Sequence, residues 1–514
     1  MNGAESLTRT LVGGGVDVCF SNPGTSEMHF VAALDRVDGI RCVLGLFEGV
    51  VTGAADGYAR MADKPAATLL HLGPGLGNGL ANLHNAKKAF SPVVNVVGDH
   101  ATYHLKHDAP LTADIEGIAG PVSHWVRTSP SATAVAGDTA DAIAAAMAPP
   151  GQVATLILPA DTAWNEAEGP AAVPAIAGRP TVSDAAIAEA AAALRSGETC
   201  VVLMTGAALR EAGLDAAGRI ATATGARLMS QTSNGRTERG AGRVRVTAVP
   251  YPIDQALTVL ADVQHIILVG AKAPVAFFAY PDKPSLLSPE GCQIHRLATI
   301  GDDLVGALAW LAEEVGAPPG SAAPEVPARP SLPSGELTIE SVAATVGALL
   351  PEQAIVVDEG ITSGRGVPGA TRGAPPHDWL QITGGSIGIG LPLAVGAAVA
   401  CPDRRVVALQ ADGSAMYTIQ GLWTQARENL DITTVLFNNR SYACLHHELT
   451  NVGAKNPGRK AMDMLNLDRP VLDYVTLARG MGVEAGRATT ADELNSQIAA
   501  GLASRGPYLI EAML

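Results

Sequence analysis

Short aliphatic runs alternate with longer Ala-rich stretches along the whole chain. ATLLHL (67–72), PVVNVVG (92–98), TCVVLMTG (199–206), HIILVGA (265–271), RVVALQ (405–410) and ITTVLFNN (432–439) are rich in β-branched residues and read as strands. Between them, stretches such as 185–195 and 416–429 predict helices. Strands that are apolar on both faces and separated by helices imply parallel sheets covered on both sides. Two Pro- and small-residue-rich segments, 164–184 and 316–336, interrupt the pattern as linkers do. The expected fold is therefore α/β, with three doubly wound parallel-sheet domains over 1–165, 184–317 and 336–514. Such sheets take ligands beyond the carboxyl ends of their strands, so the residues that follow each strand hold the chemistry.

A chain of 514 residues has room for several domains of this kind. Its 35 Lys and Arg against 50 Asp and Glu leave a net charge of −15, which repels phosphate backbones and argues against nucleic-acid partners. An anionic cofactor needs a local site instead. The six cysteines (Cys19, Cys42, Cys200, Cys292, Cys401, Cys444) form no Cys-x-x-Cys pair, hence neither a zinc spacing nor a disulfide framework, and a reducing cytoplasm is the expected compartment. The opening MNGAESLTRTLVGGG lacks the basic start and apolar run of a secretory signal. Residues 380–401 carry no charge over 22 positions, yet their five glycines and Pro392 predict a buried loop and helix, so no membrane span is expected. Glycines 73, 75, 77 and 79 follow a strand without the G-x-G-x-x-G spacing of a nicotinamide-dinucleotide site.

The most specific pattern lies in the last block. Strand 405–410 leads to Asp412-Gly413-Ser414, a helix follows, and strand 432–437 ends at Asn438-Asn439. In a strand–helix–strand unit this spacing brings Asp412 and Asn439 to the same sheet edge. A carboxylate and an amide oxygen, with a nearby carbonyl, form a hard-oxygen set that suits Mg²⁺, which usually completes its octahedron with phosphate and water. Gly413 admits close approach of the backbone, and the helix opening after Ser414 turns free N–H groups toward the same phosphates.

The segment ADGSAMYTIQGLWTQARENLDITTVLFNNRSY (411–442) resembles the thiamine-diphosphate motif of the decarboxylase and acetohydroxyacid synthase superfamily. The resemblance implies Mg²⁺ on Asp412, Asn439 and the carbonyl of Ser441, and diphosphate contacts from Gly413, Ser414 and Tyr442. Ala411 replaces the first glycine of the motif, which removes no ligand. Thiamin chemistry also needs a buried carboxylate against the aminopyrimidine, to shift its tautomer and make its amino group an internal base. IRCVLGLFEGVVTGAADGYARMADKPA (40–66) resembles the pyrimidine-binding segment, with Glu48 at the place of its catalytic glutamate. On physical grounds alone, Glu48 follows a strand and opens a helix, where a carboxylate is stabilised by the N-terminus. ITGGSIGIGLP (382–392) resembles the loop that bends the cofactor, implying a pyrimidine contact from the carbonyl of Gly385 and a wedge at Ile387. SNPGTSE (21–27) and HLGPGLGN (71–78) resemble substrate-side loops of benzoylformate decarboxylase-like enzymes, making Thr25 and His71 candidates for proton relay and carboxylate binding.

The three blocks then correspond to pyrimidine-binding, central Rossmann-like and diphosphate-binding domains. The resemblance implies a homodimer as the minimum active unit, with sites between the first domain of one subunit and the last of another, and a homotetramer as a frequent form. Asp99 and His100 stand where acetohydroxyacid synthases carry Gly-Gln, and the central block is compact, so FAD is not expected. Phe277 and Phe278 stand where a benzoylformate decarboxylase-like enzyme would place a second histidine, and His104 and His107 lie in a polar loop. The expected activity is Mg²⁺- and thiamin-diphosphate-dependent, non-oxidative decarboxylation of a small 2-oxo acid, with carboligation to a 2-hydroxy ketone as a second outcome. The alternative is a catalytically inactive scaffold or regulatory subunit of the same fold.

Overall fold

The structure, a computed structural model, describes residues 1–514. The first six strands, β1 (Val18–Asn22), β2 (Arg41–Leu44), β3 (Ala66–Leu70), β4 (Val93–Asp99), β5 (Trp125–Thr128) and β6 (Val153–Pro159), form one parallel sheet in the order β2-β1-β3-β4-β6-β5. β3, β4 and β6 are buried along their whole length, which is why their sequences run apolar without alternation.

The middle of the chain supplies β7 (Cys200–Met204), β8 (Arg227–Ser230), β9 (Thr237–Arg239), β10 (Thr247–Ala248), β11 (His265–Val269) and β12 (Gln293–Ala298). Five of these make a second parallel sheet, β10-β8-β7-β11-β12. The exception is β9, which pairs antiparallel with a strand of the third sheet, Thr237 opposite Trp379 and Arg239 opposite His377. That sheet is built from β13 (Ile355–Glu359), β14 (His377–Gln381), β15 (Val406–Ala411), β16 (Ile432–Asn438), β17 (Glu484–Ala488) and β18 (Tyr508–Met513), in the order β17-β18-β16-β15-β13-β14-β9. The chain is thus three parallel-sheet α/β domains, one of which borrows its edge strand from the central stretch.

Two helices join the first and third domains. Helix Glu48–Ala62 is buried on nearly every side and packs against helix Gly390–Ala400, whose residues 390–399 are all buried. One apolar cluster runs through both, including Val51, Tyr58, Leu393 and Val395. A helix apolar all round belongs in a protein interior or a membrane. Here the uncharged 380–401 run supplies the last two residues of strand β14, a loop and this helix, and no helix is long and apolar enough to cross a membrane.

One expected element differs. The helix predicted over 416–429 is broken into a four-residue turn, Asp412–Ala415, and a short helix, Gly421–Arg427. Between them the amides of Tyr417 and Thr418 bond to carbonyls three residues back, and the Thr418 hydroxyl donates to Gly388 O at 2.8 Å instead of staying on a helical face. The phosphate-facing helix terminus expected after Ser414 is therefore only a tight turn.

Candidate active site

The order of the first sheet lines up the carboxyl ends of β2, β1, β3 and β4. Glu48 follows β2, the 3₁₀ turn Thr25–Glu27 follows β1, His71 follows β3 and His100 follows β4. Glu48 is buried, 7 % exposed, and opens its helix. Its Oε2 accepts a hydrogen bond from Asn78 Nδ2 at 3.0 Å, and it has no cationic partner within ion-pair distance. Glu48 and His71 flank Gly75, where a Cβ would meet Glu48 Oε1 and His71 Cβ, both at 3.2 Å. The glycines of 73–79 thus lie at the start of helix Leu72–Ala89, where one of them leaves room for these two side chains.

His71 is oriented by a residue that sequence reading missed. Its Nδ1 lies 2.9 Å from Glu27 Oε2, and Glu27, 2 % exposed, also accepts from Gly24 N–H at 2.8 Å. Burial pushes the Glu27 carboxyl above the usual carboxylate range, while His71 and the Gly24 amide pull it down. The hydrogen bond to Glu27 fixes which ring nitrogen faces inward and leaves Nε2 for the strand-end edge. The available signal was Glu27 three residues after Gly24, a capping-box spacing. Thr25 sits at the exposed start of that turn. His100 Nε2 is buried without a partner, and the rings of His100, His104 and His107 follow one another at centroid distances of 5.4 and 5.6 Å.

The third sheet gathers a second set. Consecutive strands β16, β15, β13 and β14 end at Asn438-Asn439, Asp412, Glu359 and the loop 382–389. Asp412, 2 % exposed, accepts from Gly413 N–H at 2.8 Å and from Arg440 N–H at 2.7 Å. Burial raises its carboxyl, and the surrounding backbone N–H groups counter this. Asn439 Oδ1 accepts from Ser441 N–H at 3.0 Å, and its Nδ2 donates to Ser363 Oγ at 3.2 Å. Arg440 between them adopts φ 55°, a left-handed conformation that a non-glycine residue holds only when its surroundings fix it. Tyr442 packs against Gly413 so closely that a side chain on Gly413 has no room.

Gly385, at φ 74°, lies in the loop after β14, and Phe277 of the central domain packs against it: a Cβ there would fall 2.6 Å from the ring. Phe277 also meets Phe278 and Tyr251, at 4.9 and 5.3 Å between ring centroids. Beyond Tyr442, helices Ala443–Asn451 and Arg459–Asp463 bury no side chain, and Lys455, Arg459 and Lys460 are exposed. Tyr280 donates to Glu448 on the first of these helices, at 2.5 Å.

The N-terminal TPP binding domain of the thiamine pyrophosphate enzymes matches residues 1–118, and their C-terminal TPP binding domain matches residues 367–512. These two segments cover the strand ends just described except that of β13 at Glu359. The chain belongs to the thiamine pyrophosphate enzymes.

It is similar over its whole length, at 56 % identity and 99 % of the relative, to a Mycobacterium tuberculosis protein provisionally named acetolactate synthase large subunit IlvX. Benzoylformate decarboxylase of Pseudomonas aeruginosa is 30 % identical over 97 % of this chain and 96 % of the relative. Among solved structures, the thiamine diphosphate-dependent 4-hydroxybenzoylformate decarboxylase of Rhodococcus jostii RHA1 superposes with a TM-score of 0.87 at 25 % identity, covering 99 % of this chain and 98 % of that one.

The residues fit thiamine pyrophosphate and a dication. One buried carboxylate and one amide oxygen at neighbouring strand ends make a pair of hard oxygen donors, and no cluster of three His, Cys, Asp or Glu is present for a softer metal. The cradle at Gly413 is roofed by Tyr442, and the left-handed backbone at Gly385 turns the chain where a side chain would meet Phe277.

Proposed function

We propose that this thiamine pyrophosphate enzyme decarboxylates a 2-oxo acid without oxidation, with Mg²⁺ as the metal that holds the cofactor. Bound thiamin diphosphate supplies a nucleophilic carbon and an electron sink for the pair released as CO₂ departs. Asp412, Asn439 and the Ser441 carbonyl hold the dication; Gly413, Ser414 and Tyr442 hold the diphosphate. The Gly385 carbonyl and the Ile387 side chain would hold the cofactor's aminopyrimidine end. Glu48 holds a proton at the pyrimidine ring and so makes its amino group a base. His71 Nε2, with Nδ1 fixed by Glu27, delivers a proton on the substrate side, where Thr25 helps bind the carboxylate.

A positioned proton donor supports protonation and aldehyde release as the main outcome, with carboligation to a 2-hydroxy ketone as the second. The observation that carries the catalytic reading over an inactive scaffold is Glu48: a buried carboxylate at a strand end with a neutral amide as its partner and no ion pair. The helix N-terminus and Asn78 hold this carboxylate without any charge partner, which leaves it available to a protonatable ring.

The relatives' names support a small 2-oxo acid as substrate. In this reading the working unit is a homodimer, assembled further into a homotetramer in the cytoplasm, with Glu48 of one protomer serving the diphosphate-binding domain of its partner. The three domains take the bounds 1–165, 184–317 and 336–514. Measuring CO₂ release and products over a panel of 2-oxo acids, from pyruvate to benzoylformate, tests the reaction. Turnover with none of them, by protein loaded with thiamin diphosphate and Mg²⁺, overturns it.

A further inference from the structure

The loop Ile382–Ile389 is held at both ends by buried polar side chains that come from elsewhere in the fold. On its first half stands Asn85, fully buried in the first domain. Its Oδ1 accepts from Gly384 N–H at 3.0 Å and from Ser386 N–H at 3.4 Å, and its Nδ2 donates to Ser386 O at 2.7 Å. The backbone carbonyl of Asn85 accepts from the Thr383 hydroxyl at 2.8 Å, and His84 Nε2 lies 3.1 Å from Gly384 O. Peptide groups on both sides of Gly385 are thus fixed by one amide, whose oxygen and nitrogen are both used.

On the second half stands Glu359, 1 % exposed at the end of β13. Its Oε1 accepts from Gly388 N–H at 2.7 Å and Ile389 N–H at 3.3 Å, and its Oε2 accepts from Gly390 N–H at 2.7 Å. These three amides open helix Gly390–Ala400, so the carboxylate satisfies N–H groups that the helix itself leaves free. Glu359 Oε2 also accepts from Gln410 Nε2 at 3.0 Å, and the same Nε2 reaches Ser414 Oγ at 2.7 Å. One buried anion therefore connects the loop to the turn that carries Asp412, Gly413 and Ser414. Burial raises the Glu359 carboxyl, and its four donors counter this. Between the two clamps lie Gly385 and Ile387, whose own N–H and C=O neither clamp takes, although the clamps hold the other half of the peptide groups on either side of them.

We propose that Asn85 and Glu359 are positioning residues that together set the height and direction of the Gly385 carbonyl and the Ile387 side chain relative to the Asp412–Ser414 turn. This rests on the cofactor placement under Proposed function. Both act through the loop 382–389 rather than as ligands of the cofactor. They fix the distance between the loop that orients the reactive ring and the turn that grips the diphosphate.

Three variants test this. Asn85→Asp keeps the acceptor and removes the Nδ2 donations to Ser386 O and, at 3.1 Å, to Asn82 Oδ1. Glu359→Gln keeps the shape but turns an amide N–H₂ toward a donor on one half of the cradle. Thr418→Val removes only the 2.8 Å bond to Gly388 O and keeps the test open should the other two not fold. Each loaded protein is assayed for kcat, substrate KM, affinity for thiamin diphosphate with Mg²⁺, and the circular-dichroism signature of the bound cofactor.

A displacement of about 1 Å at a reacting centre costs on the order of 10²-fold in rate. The expected result for the first two variants is therefore a kcat loss of about 10- to 100-fold per bound cofactor, with cofactor affinity within about threefold, KM unchanged and an altered dichroism band. The Thr418 variant follows in the same direction with a smaller loss. Unchanged kcat per bound cofactor, or affinity and thermal stability falling together while the dichroism band stays the same, overturns the proposal. A wild-type protein that binds no thiamin diphosphate overturns both this and the reading beneath it; a wild type that turns over with indifferent variants overturns this alone.

Discussion

Gly396 of the third domain lies against the carbonyl oxygen of Ala54 in the first, with no space for a side chain between the two helices. Gly57 makes the reciprocal approach to the Leu393 carbonyl, and a Cβ on Gly53 would fall 2.6 Å from Pro392. Backbone atoms cannot move aside as a flexible side chain can, so Gly396→Ala should cost at least about 1–3 kcal/mol, as overpacking does. Gly137, in the first turn of helix Val135–Met147 with open space around it, is the control: Gly137→Ala should gain about 0.4–1 kcal/mol. Urea unfolding of both variants measures the contrast, and similar stabilities would show that the interface yields.

Glu48→Gln should keep the fold and the hydrogen-bond contact with Asn78 while losing the acid–base function. Removing one positioned acid–base group costs about 10²–10⁴ in rate. Activity near wild type, measured as CO₂ release by the loaded variant, contradicts the role given to Glu48.

Asp412→Ala and Asn439→Ala address the metal. A ligand that binds only the native state adds about 2.7 kcal/mol of stability at a hundred times its Kd. Wild type should therefore melt higher with thiamin diphosphate and Mg²⁺ together, and the two variants, each measured against its own ligand-free melting point, should lose most of that shift. A retained shift places the cation elsewhere.

Glu27→Gln leaves the shape of the strand-end edge but weakens the hold on His71 Nδ1. The expected loss is about 10- to 100-fold in the rate of aldehyde release, below the roughly 10²–10⁴ for removing a proton donor outright because His71 itself remains. The check is a single turnover with enzyme in excess: a proton-delivery defect leaves the rate of CO₂ release intact and makes aldehyde lag behind it, whereas equal slowing of both points to an earlier step.

His377 provides a stability prediction. Burial and then the Arg239 charge push its imidazole down to about 4 from an ordinary 6.5. Nδ1 bonds to Pro375 O at 2.7 Å, and Nε2 is buried without a partner. The unfolded chain binds the proton first, so stability falls as pH drops from about 6.5 toward 4 and is level above that window. The full contribution is on the order of 3 kcal/mol. The stability difference between wild type and His377→Asn should therefore vary over this window, and a difference flat with pH refutes the assignment.

Much of the architecture was legible because its signals are local. Buried parallel strands write uninterrupted aliphatic runs, and the spacing of Asp412 and Asn439 encodes one strand–helix–strand crossover. What was hidden depends on side chains that meet only after folding. Glu27 finds His71 because β1 and β3 are neighbours, 44 residues apart in sequence. Asn85 and Glu359 read as an ordinary helix amide and an ordinary strand-end acid until the first and third domains close on the loop 382–389. The helix expected over 416–429 failed where the Thr418 hydroxyl found a tertiary carbonyl, a partner that no helical periodicity reports.

The short strand β9 carries a consequence for dissecting the protein. Because Thr237–Arg239 seals the flank of β14, the middle portion of the chain is stitched into its neighbour. Cutting it out as a module would strip a row of peptide groups bare beside His377–Trp379, and Arg239, stacked 4.7 Å over the Trp379 ring, would leave with it. Grafting experiments that exchange this portion between relatives therefore need to carry the seam across intact, or the acceptor protein will seek another chain to close its open margin.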